Sequence, residues 1–218
     1  MKDDLGLLLV GVGGQGVLTA ARLLGLAALT AGHEARVGQL HGMAQRGGSL
    51  ESTIVLGSGE TAFVSDGEVD VLLAFEPLEA ARALPRVSER TLALVNSTPV
   101  VPYTMTSRGE PYPPVDTLLA DLRKRAGRVL VFDGSTVAFQ VGAKRALNMV
   151  MLGALAEIAV LPFGPDVFEE TIIAHGVAAR RELTLAAFRA GRQAAAETWA
   201  YIITPENAKA AQPDEPDA

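Results

Sequence analysis

The sequence predicts an α/β fold, a single Rossmann-like domain with a mostly parallel sheet flanked by helices and a helical C-terminal part. Three observations predict it. Short apolar runs alternate with segments of helical spacing as far as Phe132, the first junction between the two is glycine-rich, and after Asp133 the periodicity becomes helical.

Residues 7–12 are an apolar run closed by glycine, and 17–30 carry Ala and Leu at helical spacing, a strand followed by a helix. Residues 35–40 and 52–56 read as two further strands around "HGMAQRGGS" at 41–49. The unbroken apolar run 69–75 is of the kind buried on both faces of a parallel sheet, and "PLEAARAL" follows with Pro77 in a first helical turn. Strands are expected at 91–95 and 129–132, separated by the Pro-rich loop "VPYTMTSRGEPYPPVD" and a helix over 115–125. Helices are then expected at 137–141, 145–160, 166–174 and 181–200. Residues 1–203 form one domain in this reading. The polar segment 204–218, with three prolines, is expected to be a disordered and dispensable tail.

The chain has 218 residues, 49% of them hydrophobic, enough for one well-filled domain. A net charge of −6 argues against a nucleic-acid surface, which needs clustered Lys and Arg. Residues 1–4 run straight into a strand without signal-peptide features, and no apolar run reaches the roughly 20 residues that span a bilayer, so a cytoplasmic protein without membrane segments is expected. The chain contains no cysteine. It therefore supplies no thiolate nucleophile and no cysteine-held iron–sulfur cluster.

Two motifs carry chemistry. In "GVGGQG", Gly11, Gly13 and Gly16 have the spacing that turns a backbone after a strand and presents helix N-terminal N–H groups to a phosphate. The acid expected about 20 residues later for a dinucleotide ribose is missing, where Gln39, Leu40 and His41 stand instead, and this disfavours NAD. The glycines either bind a different phosphate-bearing ligand or only let helix and sheet pack closely. In "HGMAQRGGS", Gly42, Gly47 and Gly48 permit unusual backbone conformations, while His41, Gln45 and Arg46 supply a titratable ring, an amide and a fixed cation. Such a segment at the carboxyl ends of strands faces the crevice where open sheets bind ligands. No spacing of His, Asp and Glu suggests a metal site. Glu76 and Glu79 fit an ordinary first helical turn, and Lys144, Arg145 and Asn148 a solvated helix face.

"GVGGQG" followed by "HGMAQRGGS", with "DVLLAFEPLEAARALP" at 70–85, "VNSTPVVP" at 95–102 and "NMVMLGAL" at 148–155, resembles the gamma-type subunits of the thiamine-diphosphate-dependent 2-oxoacid:ferredoxin oxidoreductases. Within them the likeness is greatest to the beta subunit of the indolepyruvate:ferredoxin branch. It covers most of residues 6–160 and fades beyond about 177, where only an Ala-Phe-Arg-Ala-Gly flavour persists.

The resemblance implies a subunit, inert alone, of a heteromer that oxidises arylpyruvates to aryl-acetyl-CoA and carbon dioxide while reducing ferredoxin. It places thiamine diphosphate and the iron–sulfur clusters on a large alpha subunit, with coenzyme A as co-substrate and no cofactor held by this chain alone. His41, Gln45 and Arg46 are then the candidate catalytic residues. Gly11, Gly13, Gly14, Gln15, Gly16, Gly47 and Gly48 are the candidate cofactor-binding residues. Arg46 would hold a substrate carboxylate or a coenzyme A phosphate, or pair with an acid across the subunit interface. His41 would carry a proton or cap a strand end. A stand-alone nucleotide- or coenzyme A-binding regulatory module is the alternative.

Overall fold

The computed structural model describes residues 4–41, 48–101, 105–106 and 109–199. The chain order is β1 (Leu5–Val12), α1 (Val17–Thr30), β2 (Ala35–His41), β3 (Ser49–Leu56), β4 (Val71–Ala74), α2 (Pro77–Arg82) and β5 (Leu92–Asn96). There follow α3 (Val115–Arg125), β6 (Arg128–Phe132), α4 (Gly134–Gln140), α5 (Leu147–Glu157), α6 (Pro165–His175) and α7 (Arg181–Trp199).

The six strands form one sheet in the order β2-β3-β1-β4-β5-β6. β1, β4, β5 and β6 are parallel, whereas β3 runs antiparallel to both β1 and β2. The sequence locates β3 but not its direction. β3 also starts at Ser49, earlier than the apolar pattern indicates, because its first residues pair on both sides, with Val12 across to β1 and with Leu40 and His41 across to β2.

The central strands β1, β4 and β5 are apolar along nearly their whole length because both faces are covered, whereas the edge strand β2 leaves Val37 and Leu40 exposed. Leu7, Leu9, Leu73 and Leu94 point into the layer of α1 and α4–α7, while Leu8, Val10, Leu72 and Val95 point into the layer of α2 and α3. Helix boundaries shift where a local group decides them. α4 begins at Gly134 because the Asp133 carboxylate accepts a hydrogen bond from Thr136 N at 2.8 Å, an N-cap that brings the helix start forward. α5 stops at Glu157 because Ala159 takes a left-handed φ of 52°.

α5 is buried along nearly its whole length and crosses α7 through a pair of glycines. A Cβ on Gly153 would lie 1.9 Å from Phe188 O, and one on Gly191 would lie 1.9 Å from Val150 O. Each helix therefore sets its backbone directly against the other. Phe188, fully buried beside this crossing, stacks on Phe168 at 5.5 Å between centroids, and Phe168 on Phe163 at the same spacing. No helix among the described residues is long and apolar enough to cross a membrane.

Candidate functional site

β1 leads by α1 to β2 on one side of the sheet, whereas β4 leads by α2 to β5 on the other. The chain thus diverges between β1 and β4, and the edge where those strands end is where open α/β sheets hold ligands. The glycine loop, the start of α2, the end of β5 and the start of α4 all sit on this edge.

In the glycine loop, a Cβ on Gly11 would come within 2.8 Å of both Gln15 Oε1 and Val17 Cγ2. Gly16 is the N-cap of α1 with a left-handed φ of 81°, and a Cβ there would lie 2.7 Å from Asn148 Nδ2. These two positions need glycine for close packing. Gly14 faces open space, and Gly13 N donates to Gly48 O at 2.9 Å.

Gln15 is fully engaged within the chain: its Oε1 accepts from Val12 N at 2.7 Å and its Nε2 donates to Phe75 O at 2.9 Å. It clamps the loop to the end of β4. Asn96, buried completely at the end of β5, adds to the clamp by donating to the same Phe75 carbonyl at 3.0 Å and accepting from Ser135 N at 3.3 Å.

The three helices that begin here are capped differently. Glu76 caps α2 by accepting from Glu79 N at 3.0 Å, and Asp133 caps α4. α1, fourteen residues long, has no acid in its first turn, and no side chain among the described residues caps it.

Glu76 and Glu79 do occupy a first helical turn, as the sequence indicates, but both are buried. Glu76 accepts hydrogen bonds from the Tyr112 hydroxyl and from Val100 N at 3.2 Å, which anchors the Pro-rich segment to the sheet edge. Burial pushes the Glu76 carboxyl up from its usual range, against the lowering effect of its hydrogen bonds. Tyr112 is likewise pushed up, by burial first and then by its bond to Glu76. Glu79 pairs with Arg82 at 2.6 Å and accepts from Ser49 Oγ at 2.5 Å, joining α2 to the start of β3. For Asp133, burial acts upward, but the bonds from Thr136, Thr98 and Ser135 outweigh it and hold the carboxyl below its usual range.

Lys144 and Arg145 are exposed, as expected of a solvated face; Asn148 is not. It is 8% exposed, and its Nδ2 donates to Gly16 O at 3.4 Å, reaching the glycine loop from the other layer. Among the described residues no cluster of His, Asp and Glu could hold a metal ion.

The second motif reaches the same edge. His41 ends β2 opposite Leu50, and Gly48 leads into β3 beside the glycine loop. Gln45, Arg46 and Gly47 lie outside the described residues, as does the His41 side chain. Asn96 is the residue that motif reading misses; its signal is a lone polar side chain closing the apolar run of β5.

Residues 6–194 match the family described as pyruvate ferredoxin/flavodoxin oxidoreductase. The chain belongs to this family. A relative, the indolepyruvate oxidoreductase subunit IorB of Methanothermobacter thermautotrophicus, is 38% identical over 188 residues, covering 86% of this chain and 96% of the relative. The gamma subunit of keto/oxoacid ferredoxin oxidoreductase from Geobacter sulfurreducens shares the fold with a TM-score of 0.65 at 24% identity, covering 88% of this chain and 99% of that one. A chain of 2-oxoglutarate:ferredoxin oxidoreductase from Magnetococcus marinus aligns with a TM-score of 0.70 at 19% identity over 90% of this chain and 32% of its own. The pyruvate ferredoxin/flavodoxin oxidoreductase fold thus occurs both as a whole subunit and as one part of a longer polypeptide. The match continues through α5, α6 and most of α7, farther than the sequence motifs alone reach.

Proposed function

We propose that the chain is the non-cluster subunit of a heteromeric thiamine-diphosphate-dependent 2-oxoacid:ferredoxin oxidoreductase that converts indolepyruvate or other arylpyruvates to aryl-acetyl-CoA, carbon dioxide and reduced ferredoxin. The relatives named as indolepyruvate oxidoreductase subunits support this substrate class. The observation that carries the role of this chain is the positive end of α1, which no described side chain caps, set beside the ends of the strands that bracket Gln45 and Arg46.

The redox groups do not fit the described residues. The chain has no cysteine to hold a cluster. Of its Asp-Gly pairs, Asp66 is largely exposed and only approaches Arg86 at 3.4 Å, and Asp133 is held by Thr98, Thr136 and the start of α4. In this reading thiamine diphosphate and the clusters sit on the large alpha subunit, and ferredoxin meets the complex there.

This chain contributes position and charge. Gln15 and Asn96 hold the glycine loop rigid, so that the N–H groups at the start of α1 face an anion without rearrangement. Arg46 supplies a permanent cation for a substrate carboxylate or a coenzyme A phosphate, Gln45 orients a neighbouring oxygen, and His41 donates a hydrogen bond or a proton at the same edge.

Arg46→Ala tests the reading. Losing one charge-assisted hydrogen-bonded pair of about 1.5–3 kcal/mol slows turnover of the assembled enzyme roughly ten- to a hundredfold. Thermal unfolding of the isolated subunit stays as in the parent. An unchanged rate in the assembled enzyme removes Arg46 from the site.

A further inference from the structure

Away from the sheet edge, α1, the turn between α4 and α5, the end of α6 and the start of α7 enclose a groove of about 610 Å³. Its floor is apolar, built from Leu23, Leu26, Met149 and Ile172, with the exposed Val177 and Leu183 also lining it. Arg22, Lys144, Arg145 and Arg180 line it together with His175. No carboxylate among the described residues lines it, and none of these four permanent cations forms an ion pair among the described residues. Lys144 Nζ instead rests 4.5 Å from the centroid of the Phe139 ring. Four cations in one groove stand out on a chain whose net charge is −6.

We propose that the acidic segment 204–218 of this same chain docks in this groove. The segment carries Glu206, Asp214, Glu215 and Asp217 against one cation, Lys209. The groove offers four cations and no acid, so the charges are complementary.

The segment also reaches. α7 begins at the groove, where Leu183 and Thr184 line it, and its 19 residues carry the chain roughly 28 Å away at 1.5 Å per residue. Asp214 follows Trp199 by fifteen positions. Fifteen residues span up to about 50 Å when extended and about 21 Å as a flexible chain, which brackets the return distance. Tethering at that length holds the acids near the groove at an effective concentration on the order of millimolar.

The chain has only four lysines, Lys2, Lys124, Lys144 and Lys209, which makes the proposal directly readable. The full chain and a chain shortened to residue 203 are treated with limiting N-hydroxysuccinimidyl acetate, and acylation is followed peptide by peptide, with Lys124 on α3 as the internal reference. Lys144 is expected to react about tenfold more slowly in the full chain, the protection given by a groove filled about nine-tenths of the time. Neutralising Asp214, Glu215 and Asp217 as D214N/E215Q/D217N, or raising sodium chloride to about 1 M, removes the protection. Carbodiimide coupling of the full chain joins Lys144 to one of those acids within a single copy. Equal Lys144 rates with and without the segment overturn the proposal. So does coupling found only between isotopically distinct copies, or protection that persists in the shortened chain because another subunit covers the groove.

Discussion

Gly191→Ala and Gly153→Ala each destabilise the protein by about 2–4 kcal/mol, although alanine in place of glycine inside a helix ordinarily stabilises by up to about 1 kcal/mol. The sign reverses because the added Cβ has nowhere to go. It would stand 1.9 Å from Val150 O in the first case and from Phe188 O in the second. Both obstacles are backbone of a facing helix and cannot rotate aside as a side-chain tip would. α5 and α7 must separate, and the contacts around Phe188, Val150 and Ala187, all fully buried, loosen with them. Urea unfolding of the two variants gives midpoints lowered in proportion, with the slope retained. The double variant loses less than the sum, because one separation of the helices relieves both clashes. An exposed position on the same helix, Ala196, tolerates valine at a cost near 0.5 kcal/mol. Glycine variants indistinguishable from the parent would mean that α7 does not lie on α5 in this way.

Gln15→Leu is expected to lower both stability and turnover. Leucine fills nearly the same volume but accepts nothing from Val12 N and offers nothing to Phe75 O, which keeps only Asn96. A part-buried amide group left without its partner costs about 1–3 kcal/mol, seen in calorimetry of the isolated subunit. The assembled enzyme is slowed as well. The glycine loop is released from β4, and a displacement of about 1 Å in a positioning element costs up to roughly a hundredfold in rate. Asn96→Leu, which removes the other donor to the same carbonyl, acts in the same direction. A Gln15→Leu enzyme with parental kcat and KM would show that the loop needs no clamp.

The fold was legible in the sequence where local pattern and tertiary role agree. β1, α1 and α3 occupy the segments their periodicity marks, because the apolar stripes that define them are also the faces they bury. β3 shows the limit. An apolar run looks the same in either direction, and only its pairing with both β1 and β2 sets it antiparallel.

The candidate site was legible as a motif but not as a network. "GVGGQG" announces a turn after a strand, yet nothing local tells that Gln15 spends both ends of its amide inside the chain, or that Gly16 meets Asn148 from a helix more than a hundred residues later. Gly153 and Gly191 were equally silent, since in sequence each is only a poor helix former. Their reason lies in the helix opposite.

The central claim is that this chain supplies an anion-ready edge to a reaction whose redox groups belong to its partner. The most direct measurement is arylpyruvate-dependent reduction of ferredoxin by the purified large subunit, assayed while this chain is titrated back. The account predicts a rate near background for the large subunit alone, rising with added chain and saturating at a fixed subunit ratio, and a response to Arg46→Ala chain that stays far below it. A large subunit that reduces ferredoxin at the full rate unaided would contradict it.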